Sequence, residues 1–368
     1  MRIAGGSVDI ISADDAIHSD LEGVITGGEL SIDAGDDAFH AETKLVIDEG
    51  NVEIISCVEG YEAQEVIVNG GTSNITASDD ALNAAVADLS DDEGTNEAAG
   101  AQDSGAAAAS EGAPEPPSGD MPNGADMPGG AEGAPEPPSG DMPSSAPDAA
   151  AESGEFAGRG GMRGDMGGGP GGMSEVSEAC LLQINGGTLI INAGGDGVDS
   201  NGSLEINGGI VLVNGPDSGA DSALDYELSA TVSGGSVLML GSAGMAETFT
   251  GGEQPFATVM ASGQAGQNVA VVDGQGNVLV SLNAEKAFDQ VIASSPQMSE
   301  GGTYSVVIGG TPQSADVYGF AESGSISGGS ATEVTASTTP TQVGGMGGMR
   351  GGGLGGFERG AGPGGMQA

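Results

Sequence analysis

Gly27-Gly28-Glu29-Leu30-Ser31-Ile32-Asp33-Ala34-Gly35-Asp36-Asp37-Ala38-Phe39-His40 is the stretch on which the fold turns. A glycine pair makes a tight turn, Leu30 and Ile32 alternate with polar neighbours, and an acidic turn follows. Alternation with a period of two marks a strand with one buried face. The pattern recurs along the chain. Glycine turns fall at Gly5-Gly6, Gly27-Gly28, Gly70-Gly71, Gly186-Gly187, Gly208-Gly209 and Gly234-Gly235, and Glu49-Gly50 fills the slot after the second. Subtracting 5 from 27 gives a period of 22, and 208 from 234 a stretched last unit of 26.

After each turn an apolar pair alternates: Val8 and Ile10, Leu30 and Ile32, Val52 and Ile54, Leu189 and Ile191, Val211 and Val213, Val237 and Met239. Two residues before each turn stands another apolar residue: Ile3, Ile25, Ile47, Val68, Ile184, Ile206 and Val232. A unit this short cannot bury its own apolar face, but a stack of copies can. The expected fold is therefore all-β, a parallel β-helix of coils about 4.8 Å apart. A leucine-rich repeat needs a leucine consensus and a helix, and the β-roll repeat has a period of nine. Neither fits.

Four coils are expected in residues 1–85 and three in 178–245. Between them, 86–177 is acidic, rich in Ala, Pro, Gly, Ser and Met, and duplicates Glu111–Pro122 as Glu132–Pro143. That composition predicts a disordered insertion between coils. Asp80 and Asp196 should then stand side by side. Residues 246–336 read as a β-rich region that packs against the coils and caps their C-terminal end. Val269–Val272 and Val278–Val280 flank a hairpin turn there, and Ser325-Ile326-Ser327-Gly328-Gly329 reads as a degenerate coil. Residues 337–368 return to a Gly/Met-rich texture and read as a disordered tail.

Charge narrows the function. The 368 residues carry 54 Asp and Glu against 7 Lys and Arg, a formal net charge of −47. Such a chain repels nucleic acid and anionic membranes and attracts cations. Two cysteines, Cys57 and Cys180, make neither a disulfide framework nor a zinc pattern and read as buried thiols. No apolar run of about 18 residues suggests a membrane span. No export signal precedes the first strand, and a repeat that begins without a lead-in suggests a truncated N-terminus. The chain is expected to be a monomer.

The acidic turns align into columns. The first holds Asp15, Asp37, Glu59, Asp80 and Asp196; the second is apolar, with Ile17, Phe39, Tyr61, Leu82, Val198 and Leu224. The third holds His18, His40, Glu62, Asn83, Asp199 and Asp225, while Asp14, Asp36 and Asp79 precede the first column. Carboxylates one coil apart repel by roughly 3 kcal/mol at an effective dielectric near 20. Raised pKa values, solvation or bound cations must offset this. Calcium lies about 2.4 Å from its oxygens, so one ion spans the inter-coil distance. Plain turn chemistry is the alternative, because Asp and Asn cap turns through their own side chains. Hard oxygen ligands favour calcium over softer metals. His18 and His40 would suit zinc, but their column changes to Glu, Asn and Asp, and a polar edge is the simpler role.

Asp36-Asp37-Ala38-Phe39-His40-Ala41, Ile184-Asn185-Gly186-Gly187, Gly195-Asp196-Gly197-Val198-Asp199-Ser200-Asn201-Gly202 and Ala223-Leu224-Asp225-Tyr226 resemble the phrases of a known family. Gly241-Ser242-Ala243-Gly244-Met245 resembles its last coil. The family is that of bacterial cell-surface proteins described as carbohydrate-binding domain-containing, with a pectate-lyase-like β-helix. The resemblance implies a right-handed helix, calcium at the acidic turns, affinity for plant-type polysaccharides, and an extracellular or cell-surface location.

Three functions follow. A non-catalytic, calcium-dependent polysaccharide-binding protein is the first, with Tyr226, Lys44, His18 and His40 as candidate sugar contacts. Aromatic shortage counts against stacking on neutral sugars, and Phe39 and Tyr61 read as core. The second is a polysaccharide lyase, which needs a cationic base; Lys44 and Lys286 are the scarce candidates. The third is an adhesin or spacer stiffened by calcium.

Overall fold

The computed structural model describes residues 1–86, 176–219 and 221–343. The expected insertion and tail fall outside these residues except at their edges. The described chain is all-β, without a helix, and its coils stack in parallel. A coil has three strand segments, which in coils two and three merge into the continuous strands Glu22–Asp33 and Phe39–Ser56. In coil one they are Arg2–Ile3, Ser7–Ile11 and His18–Ser19, joined at the Gly5-Gly6 turn and the acidic turn. Stacking gives three sides. Ile3, Ile25, Ile47, Val68, Ile184, Ile206 and Val232 follow one another along the first. Val8, Leu30, Val52, Ser73, Leu189, Val211 and Val237 follow along the second. The third holds His18, His40, Glu62, Asn83 and Asp199.

Coil four lies directly against coil five. Thr72–Ala77 pairs with Thr188–Ala193, and Asn83-Ala84 with Asp199-Ser200. The chain leaves and re-enters the same stack. Most inward positions are fully buried, from Ile25, Ile47 and Ile75 through Leu182 to Leu204 and Val232. Coil one departs from this. Val8 is 40% exposed; among the described residues its strand pairs with that of coil two alone. Phe39 and Tyr61 are wholly buried, and the Tyr61 hydroxyl shares a 2.9 Å hydrogen bond with Ser73 Oγ. Cys57 and Cys180 are free buried thiols.

Close stacking explains the glycines at the turns. Gly187 has φ +83°, and a Cβ there would lie 2.8 Å from the Gly70 carbonyl in the coil below. A side chain would be strained both by the backbone and by the neighbouring coil.

The C-terminal region closes the stack with a change of direction. Strand Phe288–Ser294 runs antiparallel to Ser236–Gly241 of coil seven, with Leu238 opposite Ala293, and Phe256–Gly263 continues the sheet. The last coil's edge is thereby covered. A second sheet holds the expected hairpin, Asn268–Val272 with Val278–Asn283. Asp273 caps its turn, accepting hydrogen bonds from the backbone N–H groups of Gln275 and Asn277. Two expectations change here. Ser325–Gly329 is no degenerate coil, since Ile326–Ser327 and Ser330–Thr335 both pair antiparallel to Thr303–Pro312. Its glycine pair interrupts one antiparallel run along that partner, from Ile326 opposite Pro312 to Thr335 opposite Thr303, and opens no further coil. The ordered chain also runs past residue 336, because Gln342–Val343 pairs with Thr258–Val259 and satisfies that edge.

Candidate cation ladder at the acidic corner

Two corners of the stack carry polar ladders. At the glycine corner, Asn69, Asn185 and Asn207 stand one residue before their turns. Asn207 Nδ2 donates to Asn185 Oδ1 at 3.0 Å, Asn185 Nδ2 to Asn69 Oδ1 at 2.9 Å, and Asn69 Nδ2 to Asp48 at 2.9 Å. Each amide donates downward, and Asn69 and Asn185 each also accept from the amide above. The ladder satisfies itself.

The acidic corner is built differently. First-column carboxylates cap the next coil: Asp15 accepts from the Asp37 N–H and Asp37 from the Glu59 N–H, each at 3.2 Å. Asp80 accepts from the Asp196 N–H at 2.6 Å, and Asp196 from the Ser222 N–H. The capping steps span 22, 22, 116 and 26 residues of chain, the third crossing the insertion. One oxygen of each carboxylate is thus spent on turn chemistry. Asp14, Asp36 and Asp79 stand exposed outside this line.

Behind it the third column faces the same corner. Around coils four to six, one oxygen from each of Asp196, Asp199 and Asp225 lies within 4.8 Å of the other two. Asp199 is 9% exposed. Burial pushes Asp199 up to about 8, aided by the charges of Asp80 and Asp225. Burial and the Asp80 charge push Asp196 up to about 9, and burial and Asp79 push Asp80 up to about 7. Asp225 is also raised, by burial first. Lower on the ladder Asp37, Glu59 and Glu62 are raised as well, each chiefly by burial.

Asn83 sits within this run, in register between Glu62 and Asp199, and is 8% exposed. Its Nδ2 donates to Glu59 Oε2 at 2.9 Å, while its Oδ1 is buried with no hydrogen-bond partner. An orphaned acceptor among carboxylates costs about 1–3 kcal/mol. A hard cation would satisfy it and offset the repulsion together, and an oxygen-only donor set suits calcium. The residues present fit that ion.

The other sequence candidates are placed elsewhere or otherwise engaged. Lys44 Nζ donates to Glu65 at 2.6 Å on the neighbouring coil. Lys286 Nζ donates to the Ala193 carbonyl. Tyr226 is half-buried against the core, and its hydroxyl donates to the Thr248 carbonyl at 2.8 Å. His18 and His40 stand at the N-terminal end of the third column, amid carboxylates.

Two contributors escaped the sequence reading. Glu247, beyond the repeat, has a buried Oε2 without a partner, and burial with the Asp225 charge pushes it up to about 7. No spacing could have found it. The amide ladder did leave a signal, since Asn precedes the glycine pair at residues 69, 185 and 207.

Residues 1–104 match the model of a family described as Carbohydrate-binding domain-containing protein. No curated protein and no solved structure matches the chain. The matched span covers coils one to four, and with the stacked-coil fold it fits a carbohydrate-binding β-helix family. Among the described residues, no helix is long and apolar enough to cross a membrane.

Proposed function

We propose that this protein binds polysaccharide outside the cell or at its surface, without catalysis, through calcium held at the acidic corner. Asp80, Asn83, Asp196, Asp199 and Asp225 are the ligands in this reading. One observation carries it: the buried Asn83 oxygen without a hydrogen-bond partner, set inside a run of acceptors that a cation would complete. Calcium keeps several coordination positions and exchanges ligands readily. An acidic sugar can therefore share an ion with the protein through its own carboxylate. The two lysines support binding over β-elimination, since Lys44 is paired with Glu65 and Lys286 is held by a backbone carbonyl.

The test is retention on polygalacturonate and on neutral plant glycans, with and without chelator. Binding of the acidic polymer should vanish in chelator, return with calcium, and be weakened by Asp199→Asn. Retention unchanged by chelator would sink the calcium mechanism. Release of unsaturated uronates would make the protein a lyase.

A further inference from the structure

The N-terminal end of the ladder differs in donor chemistry from the calcium candidate, and this inference does not depend on that reading. His18 and His40 are register partners on adjacent coils, with ring centroids 4.9 Å apart and ring planes at 69°. Both Nδ1 atoms approach the same oxygen, Asp15 Oδ2, at 3.1 Å from His18 and 3.8 Å from His40. His40 Nδ1 also lies 3.8 Å from Asp37 Oδ2 and 3.5 Å from Glu62 Oε2. Two imidazole nitrogens and three carboxylates thus line coils one to three as two triads that share His40. Asp15, His18 and His40 can place one donor atom each within 4.8 Å of the others, and so can Asp37, His40 and Glu62.

We propose that this cluster is a second metal site, for a borderline-soft divalent transition metal such as zinc. Zinc binds histidine nitrogen and carboxylate oxygen at about 2.0–2.2 Å in a tetrahedron, which sets its donors about 3.4 Å apart. The separations here run from 3.1 to 3.8 Å, so small side-chain movements complete the set. Calcium takes oxygen and leaves imidazole to softer ions. The ladder would then sort metals along its length: nitrogen-bearing coils one and two for zinc, the all-oxygen run of coils four to six for calcium. The polar-edge role first given to the two histidines accounts for the His18–Asp15 hydrogen bond but not for one His40 nitrogen that faces Asp15, Asp37 and Glu62 together.

The probes are zinc and cobalt(II), titrated into the full metal-free chain with calcium in excess. One ion should bind despite the calcium, and cobalt should develop the intense visible bands of a four-coordinate site. Loss of an outer-shell partner alone costs about 10–100-fold in metal affinity. His40→Ala and His18→Ala should therefore each weaken zinc by more than tenfold, while Asp199→Asn leaves it unchanged. Circular dichroism and melting of each variant establish that it is folded. His40→Gln, which keeps a polar side chain of similar reach, serves if the alanine variant does not fold. Zinc affinity equal in folded His40 variants and the parent would overturn the proposal, as would cobalt spectra of the aqua-ion type. In that case the histidines are ion-paired edge residues only.

Discussion

The glycine corner and the acidic corner are repeats of the same geometry, yet one closes its own chemistry and the other does not. Asn69, Asn185 and Asn207 alternate donor and acceptor, so each added coil satisfies the one before. Asp80 and Asp196 each spend an oxygen on a backbone cap, and when ionised they and Asp199 and Asp225 offer acceptors alone, while the amide inserted among them is left with an unpartnered oxygen. Stacking multiplies whatever one coil carries. An amide ladder gains a hydrogen bond per coil, and a carboxylate ladder gains repulsion that protons or metal must relieve.

The sharpest way to separate the corners is to remove the metal. Calcium bound only by the folded chain stabilises by about 2.7 kcal/mol at a hundredfold excess over Kd. For a domain of this size that raises Tm by roughly 5–10 °C. Scanning calorimetry should show this rise with calcium, less with magnesium, and none in Asp199→Asn. The sign in chelator is also informative: at pH 9, above the raised pKa of Asp199, Asp199→Asn should melt higher than the parent, since it removes a buried repelling charge. A calcium shift retained by Asp199→Asn would break the assignment of the corner.

Acidity should act on the same corner. Asp80, Asp196 and Asp199 sit near 7, 9 and 8 in the fold against an ordinary 3.8. The folded state therefore holds protons that the unfolded chain has released. The associated stability is complete below pH 4 and is lost as pH rises through 7 to 9. In chelator, Tm should fall from pH 5 to pH 9, and saturating calcium should flatten the profile. A chelated protein that melts higher at pH 9 than at pH 5 would contradict the raised pKa values.

Asn185→Asp tests the other side. It places an acceptor against the Asn69 oxygen and should cost about 1 kcal/mol. Calcium should not restore that loss, because a single exposed carboxylate makes no cage. The smallest effect belongs to Lys44→Ala. Its half-exposed ion pair with Glu65 is worth about 1 kcal/mol or less, so melting and glycan retention should barely move. A strong loss of glycan binding in that variant would bring Lys44 into the sugar site.

Coil number, period, inward residues and the columns of the acidic turn were all legible from spacing, because a stack repeats one local solution and the sequence must repeat with it. The apolar column Ile17, Phe39, Tyr61, Leu82, Val198 and Leu224 is buried throughout for that reason. What spacing could not decide was how side chains within a column are satisfied. Asn83 reads as one more polar residue until its two amide atoms meet different neighbours, one a carboxylate and the other nothing. Glu247 lies outside the repeat and joins the corner only through the fold, and Tyr226 turns its hydroxyl to a backbone carbonyl. The final region escaped in the same way. Gly328-Gly329 carries the repeat's local signal, but its flanking strands pair antiparallel across a separate sheet. A local turn propensity is a property of a few residues, whereas the strand it serves is chosen by which edge remains open.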